Sequence, residues 1–168
     1  MYRRTQTGRY PNFGAVLRAR PQAIARVRGS EAYPTLMGEI KFYQTAYGVV
    51  VATEILGLPH AEGTCQQPIF GFHLHEGETC EGGTGSDPFF NTRMHYNPKN
   101  CPHPYHAGDM PPLFGAEGYA FSVFLTSRFS VREIIGKTAV IHRDPDDFRT
   151  QPSGDAGTKI ACGEIVGV

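Results

Sequence analysis

The stretch "GFHLHEGETC", residues 71–80, combines an apolar run with two histidines one residue apart and a cysteine five residues further on. Side chains at positions i and i+2 of a β-strand point to the same face. If this run is a strand, His73 and His75 present their imidazole rings side by side. Taken alone, the motif is explained equally well by a chance pair of histidines, each satisfied by a local hydrogen bond.

Short runs rich in Val, Ile, Phe and Tyr occur on both sides of this stretch and are separated by Gly and Pro. They are "AIARV", "LMGEIKFY", "GVVVATEILGL", "PIFGFHLH", "YAFSVFL", "KTAVIH" and "TKIACGEIVGV". Such runs are typical of β-strands, and no long segment has a helical period. "SVREIIG" accounts for one helical turn at most. The sequence therefore predicts an all-β sandwich or barrel of about seven or eight strands.

The first thirty residues differ in charge from the rest of the chain. They hold seven arginines and no acidic residue, although the formal net charge of the whole chain is zero. We predict a basic, flexible extension over residues 1–21 and one domain over residues 22–168. A basic arm for polyanions and a transit-like targeting segment are the alternatives for this extension.

Histidines concentrate in one part of the predicted domain. Six of the seven lie on or beside "PIFGFHLH", the irregular segment 76–112 that follows it, and "KTAVIH". Within that segment, "HYNPKNCPHPYHAGD" supplies three histidines and Asp109, a set that matches four-coordinate zinc. Residues 143–158 form a second irregular segment, and loops of such length are usually functional or disordered. A lone histidine is ordinarily a surface residue, but this grouping indicates metal binding.

The order of these motifs resembles the copper–zinc superoxide dismutase family, especially its bacterial members. The matching segments are "GFHLHE", "HYNP", "HAGD", "IIGKTAVIHRDPDDF" and "GDAGTKIACGEI". The resemblance implies a Greek-key β-sandwich or flattened barrel of about eight antiparallel strands, immunoglobulin-like in architecture, with two long functional loops. It also implies an enzyme that converts superoxide to dioxygen and hydrogen peroxide with one copper, alternating between Cu(II) and Cu(I), and one zinc per subunit.

The resemblance also assigns roles to individual residues. The copper ligands that it implies are His73, His75, His95 and His142. The zinc ligands that it implies are His95, His103, His106 and Asp109. His95 would bridge the two metals and donate a proton, and Asp146 would link His73 to His103. Lys159 stands where the family has an arginine; it keeps the charge that attracts superoxide but lacks the two-pronged donor geometry.

Two departures from the family pattern bear on function. Only Pro104 and Tyr105 separate His103 from His106, so the zinc loop is shorter than usual. All four zinc ligands remain, and we still expect zinc to bind. The second departure, Lys159, favours an alternative function: a non-catalytic metal-binding or copper-delivery domain on the same fold. The complete copper set argues against that alternative.

The four cysteines show no CxxC or other paired spacing, so a cysteine metal site is not expected. The resemblance implies a disulfide between Cys80 and Cys162. We predict a second disulfide between Cys65 and Cys101, with two free thiols as the alternative.

The remaining expectations concern location and partners. No apolar run approaches the roughly 20 residues that cross a bilayer, and the N-terminus lacks the apolar stretch of a secretory signal. We expect no membrane span and a cytoplasmic location, with export or a cell-surface position by a non-classical route as the alternative. Superoxide is the expected small-molecule substrate and no nucleic-acid partner is expected. The sequence leaves a homodimer open.

Overall fold

The computed structural model describes residues 12–60, 63 and 68–168, and strands dominate this part of the chain. The strands are β1 Ala23–Gly29, β2 Met37–Thr45, β3 Gly48–Leu56, β4 Ile69–Phe70, β5 Phe72–His75, β6 Gly83–Thr84, β7 Asp87–Pro88, β8 Leu113–Phe114, β9 Tyr119–Thr126, β10 Thr138–His142 and β11 Lys159–Gly167. The α-helices are α1 Phe13–Arg18 and α2 Val131–Ile134, and Phe90–Thr92 form a 3₁₀ turn. None of these helices has the length and apolar character needed to cross a membrane.

Seven of the strands form one curled antiparallel sheet in the order β5-β10-β11-β1-β2-β3-β9. Strands β5 and β10 lie at one end of this order, and β3 and β9 lie at the other. The chain crosses from one end to the other three times, between β3 and β5, between β5 and β9 and between β9 and β10, as in Greek-key folds. The two ends approach each other because β4, which precedes β5, pairs with β8, and β8 turns into β9 through an Ala116–Tyr119 bridge. The predicted all-β Greek-key sandwich or flattened barrel is confirmed.

Alternating apolar residues fill the interior of the curled sheet. Ile40 and Phe42 of β2 and Val49, Val51 and Ile55 of β3 are fully buried in one cluster. Burying a side chain of this size contributes roughly 1.5–3 kcal/mol to folding. The core is therefore built from alternate residues of the strands, which leaves residues of the irregular segments available for other roles.

Helix α1 covers part of the outer face of the sheet. Asn12 caps the helix by accepting a hydrogen bond from the backbone N–H of Ala15 at 3.2 Å. Its apolar side chains, Val16 and Leu17, pack against an outer cluster formed by Tyr43, Val50 and Ala52. Residues 13–18 of the predicted extension form this helix, while residues 1–11 lie outside the described residues.

Gly71 divides the predicted strand "PIFGFHLH" into β4 and β5. Its N–H donates to the carbonyl of Asp144, and its carbonyl accepts from the N–H of His142, both at 2.8 Å. A Cβ atom at this position would lie 2.8 Å from the Cβ of Ala156. The absence of a side chain at Gly71 therefore lets the irregular segment 143–158 lie directly against β5.

A disulfide attaches the irregular segment 76–112 to the sheet. Cys80 and Cys162 of β11 are bonded, with their Cα atoms 5.7 Å apart, as the resemblance implied. Glu164, also on β11, accepts a hydrogen bond from the N–H of Cys80 at 3.0 Å. The second predicted disulfide stays a prediction: Cys65 lies outside the described residues, and Cys101 forms no disulfide with any residue that is described.

Candidate metal centre

Strand β5 places His73 and His75 at the centre of the site. Both side chains are buried, with exposed fractions of 0% and 2%. The segment 76–112 folds back beside β5, where His95 bridges to the backbone of His75 and Asp109 bridges to that of His73. The sheet-like pairing of this segment with β5 is what brings His95 and Asp109 next to the two strand histidines.

The first group of rings consists of His73, His75, His95 and His142. All four are buried, and one nitrogen from each lies within 4.8 Å of the others. His142 reaches the group from the end of β10, and its Nε2 lies 3.2 Å from that of His75. The structure therefore brings together the four residues predicted as copper ligands.

Two backbone carbonyls fix the orientation of rings in this group. Nδ1 of His75 lies 2.8 Å from the carbonyl oxygen of Arg93, and Nδ1 of His142 lies 3.1 Å from that of Gly157. A carbonyl can only accept, so Nδ1 carries the proton in both rings and Nε2 presents its lone pair to the centre of the group.

The second group consists of His95, His103, His106 and Asp109, again buried and with ligand atoms within 4.8 Å of one another. The carboxylate of Asp109 contacts the Nδ1 atoms of His95 at 2.8 Å, His103 at 3.1 Å and His106 at 3.3 Å. Although only two residues separate His103 from His106, the shortened loop still delivers both rings. The predicted zinc ligands therefore also converge.

Asp146 connects the two groups. Its Oδ2 lies 2.7 Å from Nε2 of His73, and its Oδ1 lies 2.9 Å from Nε2 of His103. Because a carboxylate accepts, both Nε2 atoms donate and both Nδ1 atoms face their groups. The side chain of Asp146 is buried with 1% exposed. The link that the resemblance implied between His73 and His103 is present.

Three ring nitrogens in the two groups are buried without a hydrogen-bond partner: Nδ1 of His73, Nε2 of His95 and Nδ1 of His103. His103 Nδ1 is near Asp109 but lacks hydrogen-bond geometry. A buried unpaired polar group costs about 1–3 kcal/mol, and a metal ion at each group would remove that cost. Four imidazole nitrogens suit copper, and three nitrogens with one carboxylate suit zinc. The residues present fit both ions.

His95 belongs to both groups. Its Nδ1 lies against Asp109 and 3.4 Å from Nδ1 of His106, whereas its unpartnered Nε2 faces the first group. The ring centroids of His95 and His73 are 3.9 Å apart. One imidazole therefore stands between the two candidate metal positions with a nitrogen directed at each.

Burial keeps three histidines of the first group, His73, His75 and His142, in the neutral form that binds metals. Desolvation lowers the pKa of His73 and of His75 well below its usual value, and the neighbouring imidazoles lower it further. Desolvation lowers the pKa of His142 to about 4, against the partial opposition of its hydrogen bond to Gly157. These rings need not lose a proton to accept a metal at neutral pH.

The second group contains a carboxylate in its ionised form. Burial alone would raise the pKa of Asp109, but hydrogen bonding and charge interaction with His95, together with the charges of His106 and His103, lower it overall. Desolvation lowers the pKa of His106 as well, against the opposing charge of Asp109. Imidazole nitrogens and a carboxylate anion form a suitable ligand set for a divalent cation.

These pKa shifts predict that the metal-free protein loses stability in mild acid. The unfolded chain has histidine pKa values near 6.5, above those of His73, His75 and His142 in the fold. Between pH 6.5 and 4 the unfolded state therefore binds more protons, and the free energy of unfolding decreases as the pH falls. His142 alone accounts for about 3 kcal/mol by pH 4. Urea unfolding at pH 7.5, 6 and 5 measures this effect. In His142→Asn, the free energy of unfolding should change less with pH than in the wild type. A midpoint that does not change with pH would contradict the prediction.

Lys159, at the start of β11, lies beside the first group. Its Cα pairs with that of His142, and its charge contributes to the lowered pKa of His142. The Lys159 ammonium lies 3.4 Å from Oδ1 of Asp87 and 3.4 Å from the carbonyl oxygen of Phe89. Sequence reasoning identified Lys159 but missed Asp87, because nothing in "GSDPFF" indicates which residue of the distant β11 lies next to it.

Two further residues missed by sequence reasoning hold the histidine loop in place. The Gln151 side chain accepts from the N–H of His103 at 3.0 Å and donates to its carbonyl at 2.7 Å. Arg128 donates from Nη1 to three backbone carbonyls, at 3.0–3.1 Å, those of Pro104, His106 and Asp109. Both are ordinary polar residues in sequence, and only their position in the fold reveals their contacts.

Comparison with known proteins agrees with this geometry. A family model described as copper/zinc superoxide dismutase matches residues 36–165. The Cu-Zn superoxide dismutase of Legionella pneumophila is 33% identical over 140 residues, covering 79% of each chain. Cu-Zn superoxide dismutase 2 of Aquifex aeolicus is 30% identical over 146 residues, covering 77% of this chain and 79% of the relative. A solved double mutant of a SOD-like protein from Bacillus subtilis has a TM-score of 0.68 at 26% identity, covering 86% of this chain and 97% of that one.

Proposed function

Because the chain belongs to the copper/zinc superoxide dismutase family, we propose that it converts two superoxide anions and two protons to dioxygen and hydrogen peroxide. The observation that carries the proposal is the shared ring of His95, whose two nitrogens face two different buried ligand groups. Copper at the four-histidine group would accept an electron from one superoxide and return it to a second. Zinc at the group containing Asp109 would hold the shared ring in place.

His95 is the residue that we assign to proton transfer. Its Nε2 is buried and has no hydrogen-bond partner, while its Nδ1 is held by the Asp109 carboxylate. A ring held at Nδ1 would be able to hold a proton at Nε2 whenever that nitrogen is not bound to copper, and to donate it to the reduced substrate. Because the site is buried, that proton comes from a group of defined position rather than directly from bulk water.

Lys159 is the residue that we assign to attracting the substrate. Superoxide is an anion, and a cation beside the four-histidine group raises the local concentration of anions. Lysine supplies this charge without the rigid fork of arginine, so we expect a rate within about tenfold of that of an arginine-bearing enzyme.

Reconstitution with copper and zinc followed by a superoxide decay assay tests the proposed function. We expect turnover by the loaded protein, and a loss of at least about 100-fold in His142→Ala because one of four copper ligands is gone. His60→Ala is the matched control, since His60 lies outside both ligand groups and its hydrogen bond among the described residues is to the carbonyl of Leu58. Loss of activity in both variants, or activity retained in His142→Ala, would contradict the proposal.

The second candidate function is a non-catalytic copper- and zinc-binding or copper-delivery domain. The observation that favours it is the pairing of Lys159 with Asp87, which offsets the charge that a dismutase uses to attract its substrate. Under this alternative, one copper and one zinc bind per subunit, but superoxide decays no faster than in buffer without protein. The reconstitution experiment therefore separates the two functions.

A further inference from the structure

We propose that Asp87 is a positioning residue that holds Lys159 in place and limits how strongly the four-histidine group attracts small anions. The inference rests on the proposed function in one respect, namely that copper occupies that group. Asp87 lies in strand β7, in the short β6–β7 hairpin of segment 76–112. Its carboxylate is 3.4 Å from the ammonium of Lys159 on β11.

The ammonium of Lys159 is held on two sides by this segment. Asp87 supplies a charged acceptor, and the carbonyl of Phe89 supplies a second acceptor at the same distance of 3.4 Å. The Lys159 side chain is only 15% exposed, whereas that of Asp87 is 55% exposed. Within the described residues, Lys159 has no other ion pair. The cation is thus enclosed between segment 76–112 and the sheet, next to His142.

The pairing has two opposed electrostatic consequences. An unpaired lysine has a flexible four-carbon stem that extends readily into solvent, so Asp87 keeps the charge close to His142. At longer range, however, the carboxylate cancels much of the field of the ammonium, and an approaching anion is attracted less. The carbonyl of Phe89 still restrains Lys159 after the carboxylate is removed, so we expect the gain in net positive charge to outweigh the loss of restraint.

The expected change follows from the charge removed. Neutralising an exposed carboxylate close to a bound anion, in surroundings close to water in dielectric constant, changes anion affinity by about two- to fivefold. Asp87→Asn should therefore tighten anion binding by that factor at low ionic strength. The gain should shrink between 10 and about 200 mM salt because exposed charges are screened.

Azide titration of the copper-loaded protein, followed by the Cu(II) absorption bands, measures anion binding without turnover. The control is Glu39→Gln, which makes the same charge change in an ion pair with Lys41 at 3.0 Å on β2. We expect tighter azide binding in Asp87→Asn, no change in Glu39→Gln, and a larger gain from Asp87→Asn when Lys159→Gln is also present, because no restrained ammonium is then lost. The coupling to Lys159 distinguishes positioning from a general effect of net charge.

Several results would overturn the inference. These are an unchanged or weaker azide affinity in Asp87→Asn, an equal gain in Glu39→Gln, and a gain of the same size with and without Lys159→Gln. Among the described residues, Lys159 is the one hydrogen-bond and ion-pair partner of the Asp87 side chain, so the variant should fold; circular dichroism checks this, and Asp87→Ser serves as a second variant. A wild type that binds copper and azide but does not turn over superoxide would reject the proposed function alone. A wild type that binds no copper would reject both.

Discussion

Replacing Asp146 by leucine is expected to weaken zinc and copper binding together, each by roughly 10- to 100-fold. One carboxylate accepts hydrogen bonds from Nε2 of His73 and Nε2 of His103, and so orients one ring in each ligand group. Leucine has a similar volume but accepts no hydrogen bond. Two buried ring N–H groups would lose their partner, at about 1–3 kcal/mol each, and both rings would be free to turn.

Competition with a chromophoric chelator measures the two affinities in Asp146→Leu, and the copper spectrum reports the geometry of the four-histidine group. Asp146→Asn is the informative control. Its single amide oxygen can accept from one ring, while its NH₂ group meets the N–H of the other. We therefore expect one affinity to fall less than the other in this variant. Unchanged affinities for both metals in Asp146→Leu would show that the rings are held by packing alone.

The atoms packed around Asp146 leave little room for a different side-chain position there. Gly154 approaches the carboxylate so closely that a Cβ atom there would lie 2.0 Å from Oδ1 and 2.7 Å from Nε2 of His103. Its φ of +69° also lies in the left-handed region that favours glycine. The segment 143–158 is therefore shaped around the link between the two groups. A neighbouring side chain therefore has little room to take over the two hydrogen bonds that Asp146 accepts.

The parts of the site that depend on local periodicity could be predicted from the sequence. The i and i+2 spacing of His73 and His75 on an apolar run predicts two rings on one face of a strand, and β5 has that arrangement. The strands "KTAVIH" and "TKIACGEIVGV" were recognisable for the same reason. The convergence of both ligand groups and the Cys80–Cys162 bond followed from the resemblance, because local sequence carries no information about which distant segments meet.

The parts that depend on tertiary contact could not be predicted. Helix α1 has a short and imperfect pattern, and it is stabilised by packing on Tyr43 and Val50 rather than by intrinsic propensity. The Asp87 contact with Lys159 joins residues 72 positions apart, and the Gln151 contact with His103 joins residues 48 apart. The first contact exists because segment 76–112 lies against the start of β11. The second exists because the two irregular segments lie side by side, and no pattern within any of these stretches reveals either contact.

Removing the Cys80–Cys162 disulfide is expected to lower the free energy of unfolding of the metal-free protein by about 4 kcal/mol. The bond spans 82 residues, and it restricts the unfolded chain far more than the folded one. Both sulfur atoms are buried beside Val140 and Phe89, so substitution also removes packing. Urea unfolding of Cys80→Ala/Cys162→Ala gives the total effect. Reduction of the wild type, which keeps both sulfur atoms, isolates the cross-link. A loss below about 1 kcal/mol in the reduced wild type would contradict the chain-entropy account.

The same variant separates the stabilising role of the disulfide from any role in shaping the metal centre. His95 is held by its bridge to His75, and the N–H of Glu76 donates to the carbonyl of Met94 at 2.9 Å. Neither of these contacts involves Cys80. Zinc stabilises by binding the folded state, so its contribution depends only on the affinity of that state. We therefore expect zinc to raise the stability of the disulfide-free variant and of the wild type by the same amount. The stabilisation by zinc could instead be smaller in the disulfide-free variant by more than about 1 kcal/mol, which corresponds to a roughly fivefold loss of zinc affinity. That result would mean that the disulfide organises the histidines as well as joining the loop to β11.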